Sequence, residues 1–126
     1  MTVAAGGDNL RDPFNAVGRG DPLETASLLV TAGHLEPAVA YAAVSAGART
    51  AIGLEDVRVE PGFPAELLAV RAASVEEAVA AAPPERLVLR RGELVSRTTV
   101  IRERMHPSAD PEGTEQYGIV SQPAHS

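Results

Sequence analysis

The chain has 126 residues, a formal net charge of −6, 44% hydrophobic residues, two phenylalanines, two tyrosines, no tryptophan and no cysteine. That length fits one small domain, and the missing cysteine excludes disulfides and thiolate chemistry. The acidic balance argues against a nucleic-acid partner, although every basic residue is arginine, and no run reaches the roughly 18 apolar residues of a membrane helix.

Thr2 to Ala5 is a short apolar segment that fits a buried parallel strand, although a run this brief is not settled by pattern alone. Gly6-Gly7-Asp8-Asn9 follows. These are turn residues whose side chains bond their own backbone, and they are equally the shape of a strand end presenting the Asp8 carboxylate into a site. A single carboxylate is not a motif. Leu10 to Gly20 reads as a loop. Asp21-Pro22-Leu23-Glu24 then opens a helix, with Asp21 as cap, Pro22 at the first helical position and Glu24 closing a capping-box-like arrangement. Leu23, Ala26, Leu29 and Val30 share one face, and Gly33 supplies the stop. His34 falls at the helix end, where the dipole favours a cation and a structural role outweighs a ligand role.

Glu36-Pro37 begins a second helix, with Val39, Ala40, Ala43, Val44 and Ala48 able to face inward and small enough for close helix packing. Ser45-Ala46-Gly47 should break it into two pieces near Gly47. Arg49 suits a surface ion pair better than a phosphate. From Leu54 the composition turns polar, through Glu55 to Gly62. Glu66 to Arg71 is apolar enough for a strand, and Ser74 with Glu77 three residues on caps a short helix ending before Pro83-Pro84. Arg86–Arg90 and Glu93–Ile101 flank Arg91-Gly92, the clearest hairpin signal in the chain. The many arginines here are offset by Glu85, Glu93 and Glu103, as on a charged sheet edge. Residues 105–126 lack apolar periodicity and are expected to be a disordered tail, with Tyr117-Gly118-Ile119-Val120 the candidate for docking.

The run Gly7-Asp8-Asn9-Leu10-Arg11-Asp12-Pro13-Phe14-Asn15, followed by Gly18-Arg19-Gly20-Asp21-Pro22-Leu23-Glu24, resembles the segment after the eighth barrel strand in cytosine-deaminase-like members of the amidohydrolase superfamily. The resemblance continues through Leu35-Glu36-Pro37 and Ser45 to Leu54, and ends with Pro61 to Val70, similar to a closing G-x-x-A-D-L strand. It implies that Asp8 is both metal ligand and catalytic acid–base, exchanging protons with the attacking water, and that Asn9 and Phe14 lie beside the substrate. The implied activity is hydrolysis of non-peptide C–N bonds in cyclic, cytosine-like substrates with a divalent metal, zinc or iron.

The chain also departs from that family. Its histidines are His34, His106 and His125, at spacings that fit no ligand pattern, and the family's His-x-His pair is missing. A hydrolytic metal site draws three or more protein ligands, so Asp8 alone would not hold the metal. A complete barrel of this kind takes about 250 residues. The resemblance therefore implies an α+β or α/β fold made of the C-terminal fragment of a (β/α)8 barrel plus part of a small β-sandwich appendage. Residues 1–54 would hold the last barrel strand and its helices, 55–104 the appendage with its hairpin, and 105–126 the tail. The expected partner is the N-terminal part of the same enzyme, or a second copy, with no nucleic acid and no membrane, in the cytoplasm. The alternative is a non-catalytic remnant or one subunit of a split enzyme.

Overall fold

A computed structural model describes residues 1–7, 13 and 18–105. Helix α1 (Pro22–Thr31) starts as its sequence directs: Asp21 is extended and its Oδ1 accepts from the Leu23 N–H at 3.0 Å, with Pro22 in the first turn. Glu24 does not close a capping box. It turns to Arg19, at 3.7 Å, because the partly exposed carboxylate finds a cation within reach. The left-handed residue after α1 is His34, with φ 54°, rather than Gly33, and the chain reverses so that the Leu35 N–H reaches the Leu29 carbonyl at 3.2 Å.

The second helical stretch is broken as expected. Helix α2 (Pro37–Val44) and helix α3 (Ala46–Ala51) meet at Ser45, whose ψ of −97° leaves the helical region while its hydroxyl donates to the Tyr41 carbonyl at 2.6 Å. Gly47 is buried just beyond the break, and a Cβ there would collide with the Val3 carbonyl oxygen. The Ala5 N–H donates to the Ala43 carbonyl at 2.9 Å. The N-terminal segment therefore lies along the α2–α3 junction. It is not the strand expected at Thr2 to Ala5: its backbone bond goes to the end of a helix, and no strand pairs with it among the described residues.

Helix α4 (Val75–Ala81) is capped by Ser74, which accepts from the Glu77 N–H at 3.2 Å, while Glu77 accepts from the Ala73 N–H at 2.7 Å. α1, α2 and α4 pack on one another. Leu23, Ala26, Ala40, Ala43, Ala78 and Val79 form the buried core, with Leu29, Val30, Leu35 and Val44 against it. The alanines let the helix axes approach, and the Ser27 hydroxyl donates to the Val79 carbonyl at 2.9 Å across the gap. Val39 points outward, 48% exposed, contrary to the inward placement its spacing suggested.

Strands β1 (Leu67–Val70), β2 (Arg86–Arg90) and β3 (Glu93–Thr98) form a three-stranded antiparallel sheet in that order, so the fold is α+β. β3 stops at Thr98 rather than Ile101, because Thr98 already pairs with Arg86, the first residue of β2. Opposite Val88 and Leu89 stand Ser96 and Leu94, which leaves Val95 as the extra residue of a β-bulge. The extensive packing runs helix to helix and strand to strand, and every residue of β3 is exposed. Among the described residues, no helix is long and apolar enough to cross a membrane.

The hairpin turn places both Arg91 (φ 51°) and Gly92 (φ 81°) in the left-handed region, the geometry of a type I′ turn. Arginine is strained there, whereas asparagine tolerates it. Arg91→Asn is therefore expected to stabilise the chain by about 0.5–1 kcal/mol, read as a higher midpoint in urea at unchanged slope.

Candidate functional site

Asp8, Asn9 and Phe14, the residues that the sequence marks for chemistry, lie outside the described residues. What the structure does describe is the ground on either side of them. A side chain on Gly7 would meet Thr25 Oγ1 at 3.9 Å, and that hydroxyl donates to the Asp21 carbonyl at 3.3 Å. Gly7 and Asp21 thus both stand at the first turn of α1, so the chain enters and leaves the intervening stretch beside one helix end.

Asp21 is held from a distant part of the sequence. Arg86, at the start of β2, meets it through both guanidinium nitrogens, Nη1 to Oδ1 and Nη2 to Oδ2, each at 2.7 Å. Two further donors turn to backbone: Nε donates to the Pro83 carbonyl at 2.6 Å and Nη2 to the Ala82 carbonyl at 3.2 Å. The two side chains are only 17% and 20% exposed, so water competes weakly for this fork. The Arg86 hydrogen bonds hold the Asp21 carboxyl below the usual aspartate value. Burial opposes that shift, and the Leu23 N–H adds to it. The same pairing pushes the Arg86 guanidinium further above its ordinary value.

Sequence reasoning missed this pair. Asp21 read as a helix cap and Arg86 as one charge among several on a sheet, and nothing local in either stretch signals an ion pair across 65 positions. Asp21 does both jobs, because a carboxylate has lone pairs for the Leu23 N–H and the guanidinium together. Arg49 also differs from expectation. Its Nε donates to the Glu55 carbonyl at 3.0 Å, which ties α3 to the chain beyond it, and among the described residues it forms no ion pair.

Among the described residues, no three His, Cys, Asp or Glu side chains come together. His34 is exposed after α1. The described residues therefore do not by themselves fit a catalytic metal.

No protein-family model matches the sequence. Two individual proteins do. The chain is 34% identical over 101 residues to a pterin deaminase of Rhizobium rhizogenes, covering 78% of this chain and 23% of that protein. It is 33% identical to N-isopropylammelide isopropylaminohydrolase from Burkholderia multivorans, whose crystal structure superposes with a TM-score of 0.71 over 78% of this chain and 26% of that one. The chain is amidohydrolase-related. The resemblance to amidohydrolases read from the sequence is thus matched by both comparisons, and this amidohydrolase-related chain spans about a quarter of the length of the two relatives.

Proposed function

We propose that residues 8–14 contribute to the active site of a metal-dependent amidohydrolase that cleaves a non-peptide C–N bond in a small cyclic, cytosine-like substrate. The reading rests on one observation: one-third identity across 78% of the chain with two enzymes, one named as a deaminase and the other as an aminohydrolase. In it, Asp8 is a metal ligand and the catalytic acid–base, and Asn9 and Phe14 line the substrate. A carboxylate so placed takes a proton from the attacking water and returns it to the departing nitrogen. The metal, zinc or iron, makes hydroxide available near neutral pH when bound. Its other donors belong to polypeptide that the 126 residues do not include, since one carboxylate holds no catalytic ion.

The partner in this reading is the part of the relatives that the chain does not span. Residues 1–54 would then close a barrel and 55–104 form the adjoining β appendage, within a cytoplasmic enzyme that engages neither nucleic acid nor membrane. Co-expression with a polypeptide corresponding to the unspanned part of the pterin deaminase tests this. The expected result is co-purification, bound zinc or iron, and hydrolysis of cytosine or pterin that falls at least about 100-fold in Asp8→Asn. Failure to associate, or an active complex indifferent to Asp8→Asn, overturns it.

A further inference from the structure

We propose that the outer face of the sheet is a docking surface for the acidic C-terminal segment of this same chain, residues 110–120, with Arg71 and Arg97 as its anchors. The seat is built from described residues alone. Ala69, Leu87 and Arg97 stand in one row across the three strands, and Leu67, Leu89 and Leu94 form another row on the same side. Arg86, the neighbour of Leu87 along β2, points the opposite way and is taken by Asp21 at the start of α1. The side that carries Leu87 and Arg97 therefore turns away from α1, and Leu87 and Leu94 remain 36% and 49% exposed on it. At the end of the sheet lies a cleft of about 470 Å³ whose walls include Arg71, Arg97, Thr98 and Thr99, with Glu85 as the acidic member. Among the described residues, neither Arg71 nor Arg97 forms an ion pair.

Charge selects the occupant. Residues 1–84, which hold the four helices, carry eleven carboxylates against five arginines, whereas residues 85–104 carry six arginines against three glutamates. Asp110, Glu112 and Glu115 follow in a stretch with no arginine or lysine. Such a segment is repelled by the first region and drawn to the second. It is also tethered there. Thr99 is part of the cleft wall, and Asp110 comes eleven residues later, a length that reaches at most ~36 Å and so spans strands set ~4.8 Å apart. A short tether presents its cargo at about millimolar effective concentration, which a separate molecule in dilute solution does not match. In the docked state the carboxylates meet Arg71 and Arg97, and Tyr117 and Ile119, two positions apart, cover Leu87 and Leu94.

The chain has no cysteine, so a nitroxide attached at Ser121→Cys is a single label on the 126-residue protein. The expected result is that the NMR amide signals of Ala69, Leu87 and Arg97 lose about half or more of their intensity relative to the reduced label. Ala40 and Ala43, on a helix that packs on helices rather than strands, keep theirs. Neutralising the segment with Asp110→Asn, Glu112→Gln and Glu115→Gln together restores the sheet signals, and so does Arg71→Gln with Arg97→Gln. Both arginines are exposed, so the second pair leaves the core intact. Sodium chloride at about 1 M, which shortens the Debye length to about 3 Å, acts in the same direction. Full sheet signals in the labelled parent overturn the proposal, as does attenuation that survives the neutral segment. Equal attenuation in isotope-enriched, unlabelled chains mixed with labelled ones assigns the seat to a second copy and overturns it as well.

Discussion

Arg86→Ala is expected to destabilise the chain by about 3 kcal/mol at neutral pH, the larger part of what a small domain has to lose. The substitution strands a carboxylate that is only 20% exposed and removes the hydrogen bonds to Ala82 and Pro83 at the same time. Asp21→Asn should cost less, since an amide still accepts one N–H and caps the helix. Chemical denaturation of both variants checks the order. The pair also sets a pH dependence whose sign follows from the carboxyl. Asp21 in the folded chain titrates below its usual value, so it stabilises fully above about pH 4, where the unfolded carboxyl is ionised. That contribution is lost as the pH falls through the lower, folded value. The parent should therefore lose stability in acid by more than Arg86→Ala does. Parallel acid curves for the two proteins would contradict the assignment. Arg86 itself, shifted upward from an already high value, adds nothing to this window.

Gly47→Val is expected to cost about 1–3 kcal/mol and to free the N-terminal segment from its seat. The obstruction is backbone on both sides, the Val3 carbonyl oxygen and, at 3.1 Å from an added Cβ, the Ala42 carbonyl oxygen. Neither can move aside as a long side chain would. The bond from Ala5 to Ala43 lies next to the obstruction and should go with it. Exchange at the Ala5 amide should rise to that of an open chain in Gly47→Val, while Gly47→Ala shows the same direction at smaller amplitude. Retained protection at Ala5 would show that the segment is held elsewhere. On the reading of Asp8 proposed above, Asp8 follows Ala5 by three residues, so the co-expressed complex of Gly47→Val should also lose the proposed hydrolysis.

Much of the architecture was legible because it is written locally. Asp21-Pro22 and Ser74 with Glu77 are helix starts whose partners sit within three residues, and Arg91-Gly92 is a turn whose dihedral demands choose its neighbours. The break at Ser45 follows from a serine whose hydroxyl bonds back to the Tyr41 carbonyl and a glycine two residues on, both poorer helix formers than the alanines around them. The misreadings share a different cause. Thr2 to Ala5 has the composition of a strand, but strand formation requires a neighbour, and the described neighbour is a helix junction shaped by Gly47. The end of β3 depended on where β2 began, and the outward turn of Val39 on how closely Ala40 and Ala43 seat their helix. Asp8, Asn9 and Phe14 were singled out by family likeness, and the structure describes only the ground around them. The bidentate contact between Asp21 and Arg86 required the tertiary fold to bring its members together.

The extra residue at Val95 has a bearing on how this protein behaves when crowded. β3 is an outer strand with all its residues open to solvent, the sort of border on which further chains can add and grow into fibres. By throwing the backbone groups out of step halfway along a six-residue strand, the irregularity lets an incoming strand match one half or the other. Concentrated solutions of the protein are thereby guarded by geometry at a place where hydrophobic Leu94 and Val95 would otherwise invite stacking, and deleting Val95 should turn a well-behaved sample into an aggregating one.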